Sequence, residues 1–339
     1  MLCPFYLEQV VQFTKNADTG YTCPECKESV PALYVKGYSE FPPVVLSSVG
    51  FRGHGKTVYL AALFHVLAHH ELPQHWHGFY KTAPGDRSLE ILDFNIRMLK
   101  EGKLPDSTAQ NFPKPTLVQV KEIPTGKGAT LLCYDAAGES FEKVTRMVTY
   151  AKFLARSTTV LFLLSIPDLE RECADLDQEK KRECMAQQME RLLTVYRNGI
   201  ADLGGNTRLQ RLLVVYTKAD EWIALEQYSE LRDYLQAGTF DGLGDYPSYK
   251  KSLLATSEQL QTLTAEHLLA KAFLNNAEDN FDGVRFCVVS ALGASPKDQQ
   301  LQTSIAPRRV LDPLLWVLDR DPFRTRPKGW LPWGRWGTG

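Results

Sequence analysis

The sequence predicts an α/β fold in which a mostly parallel sheet lies between helices. Segments with the helical spacing of apolar residues, such as 88–101, separate apolar runs that suit buried parallel strands. This alternation is typical of βαβ units, which produce parallel sheets. The apolar runs cover residues 129–135, 158–167, 211–220 and 285–292.

The composition excludes several classes of protein. The 339 residues carry a formal net charge of −1, so no electrostatic basis for bulk nucleic-acid binding is present. No apolar run reaches the ~18–20 residues that cross a bilayer. The N-terminus lacks the features of a secretory signal, and the seven cysteines are scattered. We therefore expect a cytoplasmic protein without a disulfide framework, in which Cys133 and Cys287 are buried thiols.

Residues 1–40 are predicted to form a small cysteine-containing module and a linker. Cys23 and Cys26 have the C-x-x-C spacing of a zinc knuckle. Cys3-Pro-Phe-Tyr6 looks like the first half of a zinc ribbon in which Tyr6 replaces the second cysteine. Because a ribbon holds Zn²⁺ with four nitrogen or sulfur ligands, the module either takes a fourth ligand from elsewhere or is a metal-free remnant.

The segment 44–60, VVLSSVGFRGHGKTVYL, contains the strongest motif. An apolar strand ends at Gly50, residues 50–57 fit G-x-x-x-x-G-K-[ST], and a helix follows. The N–H groups of such a loop and the N-terminus of the helix surround a phosphate. We expect Lys56 to reach the β- and γ-phosphates and the Thr57 hydroxyl to ligate Mg²⁺, in a P-loop NTPase three-layer sandwich. The nucleotide is also expected to contact Gly50, Gly53, His54 and Gly55.

The polar, proline-rich loop 102–116 is predicted to sense the γ-phosphate. A phosphate-loop enzyme needs a mobile segment here with a threonine that contacts the γ-phosphate through Mg²⁺. Thr108 and Thr116 are the two candidates. Thr108 is preferred because Thr116 begins the next predicted strand.

The sequence DAAGE follows the predicted strand that ends at Asp135. A carboxylate in this position holds Mg²⁺ through a water. Gly138 is placed to donate its backbone N–H to a γ-phosphate. Glu139 lies where a residue that orients the attacking water is expected.

The ends of two more apolar strands indicate that the base is guanine. The carboxylate of Asp220 can accept from N1–H and the N2 amino group of guanine, whereas adenine leaves the acid desolvated and unpaired. The stem of Lys218 can lie over the base, and the backbone N–H of Ala291 can reach O6. The predicted base-binding residues are Thr217, Lys218, Asp220, Ser290, Ala291 and Leu292.

In this order the motifs resemble those of the Ras-like, translation-factor-related (TRAFAC-type) superclass of P-loop GTPases. Five motifs carry the resemblance, and all lie within residues 41–295. They are GFRGHGKT, a switch threonine, DAAGE in place of DxxGQ, TKAD in place of NKxD and SAL in place of SAK. The cysteine module in front resembles that of bacterial GTPase domains in conflict and defence gene clusters. The resemblance implies a Mg²⁺-dependent molecular switch that binds GTP and GDP and hydrolyses GTP slowly without an activator. It also implies an effector or regulatory protein, for which neighbouring genes are the first candidates.

Four positions depart from the pattern of that superclass. Thr217 replaces an Asn that braces the phosphate loop, Glu139 replaces Gln, and Leu292 replaces Lys. Arg52 either crowds the site or supplies positive charge in cis, as an arginine finger does. Two alternatives therefore stay open: a GTP-binding interaction module with little or no hydrolysis, and an ATPase of the same fold. Catalytic roles are predicted for Lys56, Thr108, Glu139 and Arg52.

The remaining segments complete the predicted organisation. The GTPase domain covers residues 41–320, and residues 221–284 form a helical insertion that is either a partner surface or structural cover. Residues 308–320 suit a closing helix. The tail, 321–339, is rich in Trp, Arg and Pro and either docks onto another surface or is disordered.

Overall fold

A seven-stranded sheet forms the centre of the computed structural model, which confirms the predicted fold class. The structure describes residues 1–16, 20–105, 108–126, 128–222, 229–296, 300–301 and 304–319, so the predicted tail lies outside the described residues. In chain order the strands are β1 (Thr14–Lys15), β2 (Tyr21–Thr22), β3 (Ser29–Val30), β4 (Pro43–Val49), β5 (Tyr80–Thr82), β6 (Thr116–Lys121), β7 (Ala129–Tyr134), β8 (Thr159–Ser165), β9 (Arg211–Thr217) and β10 (Gly283–Val288).

The order of the strands in this sheet is β10-β9-β8-β4-β7-β6-β5. The five strands from β10 to β7 are parallel, whereas β6 pairs antiparallel with both β7 and β5. Every residue of β7, β8 and β9 is buried, which is the pattern expected for strands covered on both faces. Because parallel strands end at the same edge, the sequences that follow β4, β7, β8, β9 and β10 come together there.

Helices cover both faces of the sheet. They are α1 (Ala32–Lys36), α2 (Lys56–Leu67), α3 (Leu72–His75), α4 (Asp86–Lys100), α5 (Val144–Tyr150), α6 (Ile166–Glu172), α7 (Gln178–Asp202), α8 (Ala219–Trp222), α9 (Ser229–Gln236), α10 (Tyr246–Thr262), α11 (Lys271–Asn280) and α12 (Asp312–Leu318). Among the described residues, no helix has both the length and the apolar character needed to cross a membrane.

Successive strand residues alternate between two hydrophobic cores. In β8, Phe162 belongs to the core that contains α5 and α7, and Leu163 belongs to the core that contains α2, α4 and α12. This alternation follows from the two-residue repeat of a strand. The result is a helix–sheet–helix sandwich of three layers.

The N-terminal cysteine segment is built onto the sheet. Strands β1, β2 and β3 form a small antiparallel sheet, and its buried residues continue the core on the α5 and α7 side. The Tyr134 hydroxyl donates to the Pro4 carbonyl at 2.5 Å, and the Arg156 Nε donates to the Leu7 carbonyl at 2.7 Å. The sequence suggested a separate module, but the segment shares one core with the seven-stranded sheet.

The structure corrects two expectations about residues 158–202. The predicted single helix over 168–199 is two helices, α6 and α7, because the Asp177 side chain accepts from the Lys180 N–H and starts a new helix there. Cys173 and Cys184 form a disulfide between these helices, where no disulfide was expected. The two cysteines are eleven residues apart, a spacing that does not by itself predict a disulfide. They meet because the chain turns between α6 and α7.

Several smaller elements also differ from the predicted ones. The predicted helix over 140–157 is broken into α5 and two short 3₁₀ segments, 138–141 and 152–156. Strand β5 was not predicted, because three residues are too few to show a repeat. Cys133 and Cys287 are buried free thiols, as expected.

The hydrogen bond from Tyr134 to Pro4 generates a test of the shared core. In a Tyr134→Phe variant, the buried Pro4 carbonyl loses its donor, so we expect the free energy of unfolding to fall by about 1–2 kcal/mol. Urea denaturation followed by circular dichroism measures the change. As a control, Tyr80→Phe alters a tyrosine that is 58% exposed and should change the stability by less than about 0.5 kcal/mol. Equal stability of the wild type and Tyr134→Phe would contradict the expectation.

Candidate functional site

The loop after β4 surrounds the ammonium group of Lys56. Gly53 and Gly55 have φ values of +84° and +82°, which lie in the left-handed region that glycine adopts without strain. This path directs the carbonyls of Gly50 and Phe51 inward, where each accepts from Lys56 Nζ at 2.9 Å. Burial lowers the pKa of Lys56 to about 8, although Asp135 and Glu139 oppose the shift. The loop therefore holds a buried cation at the N-terminus of α2.

Three side-chain oxygens meet beside this lysine. The hydroxyls of Thr57 and Thr108 both donate to Asp135 Oδ2 at 2.8 Å, and the two hydroxyl oxygens are also 2.8 Å apart. Asp135 Oδ1 is buried and has no hydrogen-bond partner among the described residues. Burial raises the pKa of Asp135, while the two hydroxyls and Lys56 oppose that shift. Thr116, the other candidate, is the first residue of β6 and is not part of this cluster.

These oxygens suit a magnesium ion. Mg²⁺ prefers oxygen ligands at about 2.0–2.1 Å in an octahedron, whose neighbouring oxygens are then about 2.9 Å apart. The separation of 2.8 Å between the Thr57 and Thr108 hydroxyls is close to that value. The unpartnered Oδ1 of Asp135 supplies an acceptor for a water bound to the ion. Thr57, Thr108 and Asp135 are thus the residues that would hold Mg²⁺.

Gly138 lies directly against the phosphate loop. A Cβ atom at this position would be 2.3 Å from the backbone nitrogen of Arg52 and 2.7 Å from the carbonyl carbon of Phe51. The backbone of the DAAGE segment can approach the loop this closely only because the residue is glycine. The next residue, Glu139, forms an ion pair with Arg52 at 3.5 Å. The Arg52 side chain is 75% exposed, so Arg52 does not fill the loop.

Thr217 braces the phosphate loop from β9. Its hydroxyl donates to the His54 carbonyl at 3.0 Å, and both residues are buried. The Nδ1 of His54 accepts from the Ser165 N–H at 3.3 Å. Burial lowers the pKa of His54 to about 4, so the imidazole is neutral near pH 7. Thr217 therefore provides a bond to the loop although it replaces the usual Asn.

The two motifs that the sequence predicts to bind the base are joined by side-chain hydrogen bonds. The Ser290 hydroxyl donates to Asp220 Oδ1 at 2.5 Å and accepts from the Gly293 N–H at 2.9 Å. Ser295 Oγ lies 3.5 Å from Asp220 Oδ2. One carboxylate oxygen is thus fixed by Ser290, which orients the whole group.

Lys218 is held in place by an acid that the sequence analysis missed. Its backbone adopts a left-handed φ of +53°, and its Nζ lies 2.8 Å from Asp168 Oδ2. Although burial opposes the shift, the bond from Lys218 keeps the pKa of Asp168 below its ordinary value. A signal was present, because Asp168 follows β8, and β8 lies between β4 and β9 in the sheet.

One cleft is lined both by the phosphate loop and by the motifs predicted to bind the base. Its walls include residues that the sequence analysis assigned from separate motifs, and also apolar residues that carried no signal in the sequence. The assigned residues are Gly53, Gly55, Thr217, Lys218, Asp220, Ala291 and Leu292. The additional apolar residues are Val58, Tyr59, Leu104, Val289, Ala294 and Pro296.

The three predicted zinc ligands form their own cluster in the N-terminal segment. The sulfur atoms of Cys3, Cys23 and Cys26 all lie within 4.8 Å of one another. Cys3 and Cys23 are fully buried, and Cys26 is partly buried. The residues predicted for zinc are therefore brought together, as are those predicted for the nucleotide.

Comparisons with known proteins identify related sequences and folds. The model of the family described as Double-GTPase 2 matches residues 44–276, which are 233 of the 339 residues. No curated protein sequence matches the chain significantly.

Solved structures with a similar arrangement include several GTPase-related proteins. The GTP-bound Ski7 GTPase-like domain of S. cerevisiae is 11% identical with a TM-score of 0.34, and the match covers 86% of this chain and 53% of that chain. The bacterial selenocysteine-specific elongation factor EF-Sec is 14% identical with a TM-score of 0.31, covering 73% and 25%. Sup35 complexed with GDP is 12% identical with a TM-score of 0.30, covering 78% and 41%. The matches span about half of these chains or less.

The contact between Gly138 and the phosphate loop generates a test of the site. In a Gly138→Ala variant the new Cβ clashes with the Arg52 backbone, so we expect the loop to shift and nucleoside triphosphate affinity to fall by at least about tenfold. Isothermal titration measures the affinity. Gly244→Ala is the control, because the nearest atom to its added Cβ is 4.0 Å away. If both variants bind nucleotide as tightly as the wild type, the close approach of Gly138 to the phosphate loop is not required for nucleotide binding.

Proposed function

The chain belongs to the Double-GTPase 2 family, and from this membership we propose that it binds GTP with Mg²⁺, hydrolyses it and acts as a nucleotide-dependent switch. One observation supports the proposal more than any other. The phosphate loop and both base-binding motifs line the same cleft, although 163 residues separate His54 from Thr217. A phosphate chain on Lys56 and a base beside Asp220 would therefore belong to one nucleotide.

Asp220 would select guanine. The hydroxyl of Ser290 donates to Oδ1 of its carboxylate, and among the described residues Oδ2 has only the longer contact of 3.5 Å with Ser295 Oγ. N1–H and the N2 amino group of guanine would both donate to the carboxylate, whereas adenine offers no such pair and leaves a desolvated charge. Ala291 and Leu292 also line the cleft, and the backbone N–H of Ala291 would donate to O6.

Thr57, Thr108 and Asp135 would hold the magnesium ion. When it is bound, Mg²⁺ neutralises charge on the β- and γ-phosphates during phosphoryl transfer. The contribution of the chain is to keep the three oxygens together, since Thr57 is on α2, Thr108 is in the loop before β6 and Asp135 follows β7.

Hydrolysis would use groups that lie around the γ-phosphate position. A water oxygen forms a bond to the γ-phosphorus while the bond from that phosphorus to the β–γ bridging oxygen breaks, giving GDP and inorganic phosphate. Glu139 would orient this water and accept its proton. Lys56 and the Gly138 N–H would stabilise the transferred phosphoryl group. Arg52 pairs with Glu139 and would keep its negative charge from repelling the phosphate.

The switch would consist of two segments that sense the γ-phosphate. Thr108 lies in the loop before β6, and Gly138 with Glu139 lies in the loop after β7. Both would lose contacts when phosphate leaves, and a partner protein that binds these segments would then distinguish GTP from GDP. We place this activity in the cytoplasm, with a protein effector as the partner.

A second candidate function is a GTP-binding interaction module with little hydrolysis. The ion pair between Arg52 and Glu139 favours it, because a Glu139 carboxylate held by Arg52 is less free to act on water. Base selection is the same in both functions, so only a hydrolysis measurement separates them.

Base selection is tested with the Asp220→Asn variant. We expect the wild type to bind GTP and GDP and to bind ATP at least about a hundredfold more weakly, since two hydrogen bonds to a charged group are lost. Asp220→Asn should lose about a hundredfold in GTP affinity and gain affinity for xanthosine triphosphate. The reason is that an amide can donate to the O2 of xanthine and accept from its N1–H.

Isothermal titration with GTP, GDP, ATP and xanthosine triphosphate measures these affinities. Glu221→Gln is the matched control, since this neighbouring acid lines the same cleft and pairs with Arg171 at 3.5 Å. Its selectivity should equal that of the wild type. Unchanged guanine preference in Asp220→Asn would contradict the assignment of the base.

Hydrolysis is tested with the Glu139→Ala variant. Single-turnover GTP hydrolysis should slow by about a hundredfold, as expected for loss of a general base, while GTP affinity changes less than about threefold. Glu142→Ala is the control, because this nearby acid pairs with Arg146 and should leave the rate unchanged. A wild type that binds GTP without turnover, with no effect of Glu139→Ala, would favour the interaction module instead.

A further inference from the structure

The first turn of the chain has the backbone of a metal-binding knuckle. The Leu7 N–H donates to the Cys3 carbonyl at 2.8 Å, and the Cys3 N–H donates to the Glu8 carbonyl at 3.0 Å. Leu7 has a φ of +65°, in the left-handed region that costs a non-glycine residue energy. The Tyr6 N–H donates to Cys3 Sγ at 3.3 Å. The turn thus directs one of its backbone N–H groups at the sulfur atom of Cys3.

A second turn repeats this arrangement twenty residues later. The Lys27 N–H donates to the Cys23 carbonyl at 3.1 Å, and the Cys23 N–H donates to the Glu28 carbonyl at 3.0 Å. Lys27 also has a left-handed φ of +61°. The second turn therefore matches the first in its hydrogen bonds and in the position of its strained residue. Both turns hold a non-glycine residue in this unfavourable conformation. We take this as a sign that the two turns serve the same purpose, in addition to reversing the chain.

The two turns face each other through their sulfur atoms. Cys3 Sγ and Cys26 Sγ are 3.8 Å apart, much longer than a disulfide bond of about 2.05 Å. With Zn–S bonds of about 2.3 Å, tetrahedral geometry places neighbouring sulfurs about 3.8 Å apart. The sulfur of Cys23 completes the group within 4.8 Å. The spacing matches the edge of a zinc tetrahedron.

Within the part of the chain that the structure describes, three cysteines fill three corners of the tetrahedron and the fourth has no protein ligand. Tyr6 occupies the position in the first turn that Cys26 occupies in the second, and it is 40% exposed. Among the described residues, no additional His, Cys, Asp or Glu joins the three cysteines. Cys26 is only partly buried, so solvent can reach this side of the cluster.

We propose that Cys3, Cys23 and Cys26 bind one Zn²⁺ as three thiolates, with a water molecule at the fourth position beside Tyr6. Each thiol gives up its proton on binding, so three protons are released per ion. Thiolate ligands favour Zn²⁺ over Mg²⁺, so this site is chemically distinct from the oxygen cluster at Asp135. Three protein ligands and a water make an open site, unlike the closed four-ligand sites of structural zinc.

The location of the site connects it with the nucleotide-binding fold. The Pro4 carbonyl, next to Cys3, accepts the hydrogen bond from Tyr134, and Tyr134 directly precedes Asp135. Tyr134 also stacks on Phe153, with ring centroids 4.5 Å apart. Zinc would therefore stabilise the part of the core that supports β7.

The main test supplies a fourth thiolate ligand at the position of Tyr6. Full-length wild type and a Tyr6→Cys variant are loaded with Co²⁺, which replaces Zn²⁺ and absorbs light. Both should take up one Co²⁺ per chain with the visible spectrum of a tetrahedral thiolate site. The charge-transfer intensity per cobalt should rise by about one third in Tyr6→Cys, because the number of Co–S bonds goes from three to four. Competition with a chelator should show at least about tenfold tighter binding in the variant.

Two further measurements complete the experiment. Elemental analysis of the purified wild type should give about one zinc per chain. Cys133→Ser removes a buried thiol in β7 outside the cluster and should retain the metal, whereas Cys23→Ser should lose it. Absence of stoichiometric metal in the wild type would overturn the proposal. Identical spectra for the wild type and Tyr6→Cys would contradict the proposal that water occupies the fourth position, since they would mean that another residue already fills it.

Discussion

The backbone of the phosphate loop is the feature on which the site depends. Gly53 and Gly55 adopt left-handed φ values, and the carbonyls of the same loop surround the ammonium group of Lys56. Such a loop has few internal contacts, so neighbouring strands must hold it. Thr217 bonds the His54 carbonyl from β9, and the backbone at Gly138 presses against the other side. The loop is thereby fixed by the same segments that would contact the base and the γ-phosphate.

This arrangement explains how the chain tolerates its departures from the pattern of related GTPases. Thr217 is shorter than Asn, yet its hydroxyl still reaches the loop at 3.0 Å, so the bracing function does not require an amide. Glu139 places a negative charge where a neutral side chain is usual, and Arg52 supplies a positive charge 3.5 Å away. The two unusual residues offset each other's charge. Because the pair is largely exposed at Arg52, solvent screens it, and it can separate when a nucleotide enters.

The sequence predicted the parts of the molecule whose signals are local. Each strand that supports the site is an apolar run, and each predicted ligand follows such a run, so the parallel sheet brings Asp135 and Asp220 to one edge. The pairing of Asp168 with Lys218 and the disulfide between Cys173 and Cys184 were missed, because both are contacts between separate segments. Asp168 does follow an apolar run, but that run does not show which residue the carboxylate meets. The shared core of the cysteine segment was missed for the same reason. The zinc-like spacing of the cysteines suggested a separate module. The contact between Tyr134 and Pro4 is a tertiary contact between distant parts of the sequence, so no local pattern predicts it.

The helical insertion holds residues 308–312 in place through contacts of its helices. The backbone of Arg308 pairs with that of Ser290 in both directions, at 2.7 and 3.1 Å.

The next residue, Arg309, places its guanidinium 3.9 Å from the ring centre of Tyr234 on α9. Tyr234 and Tyr249 of α10 both donate to Asp312, a fully buried acid whose pKa burial raises to about 6. The insertion therefore fixes the segment that pairs with Ser290. Since Ser290 donates to Asp220, helices α9 and α10 indirectly support the carboxylate that is proposed to bind the base, which a simple cover of the sheet would not do.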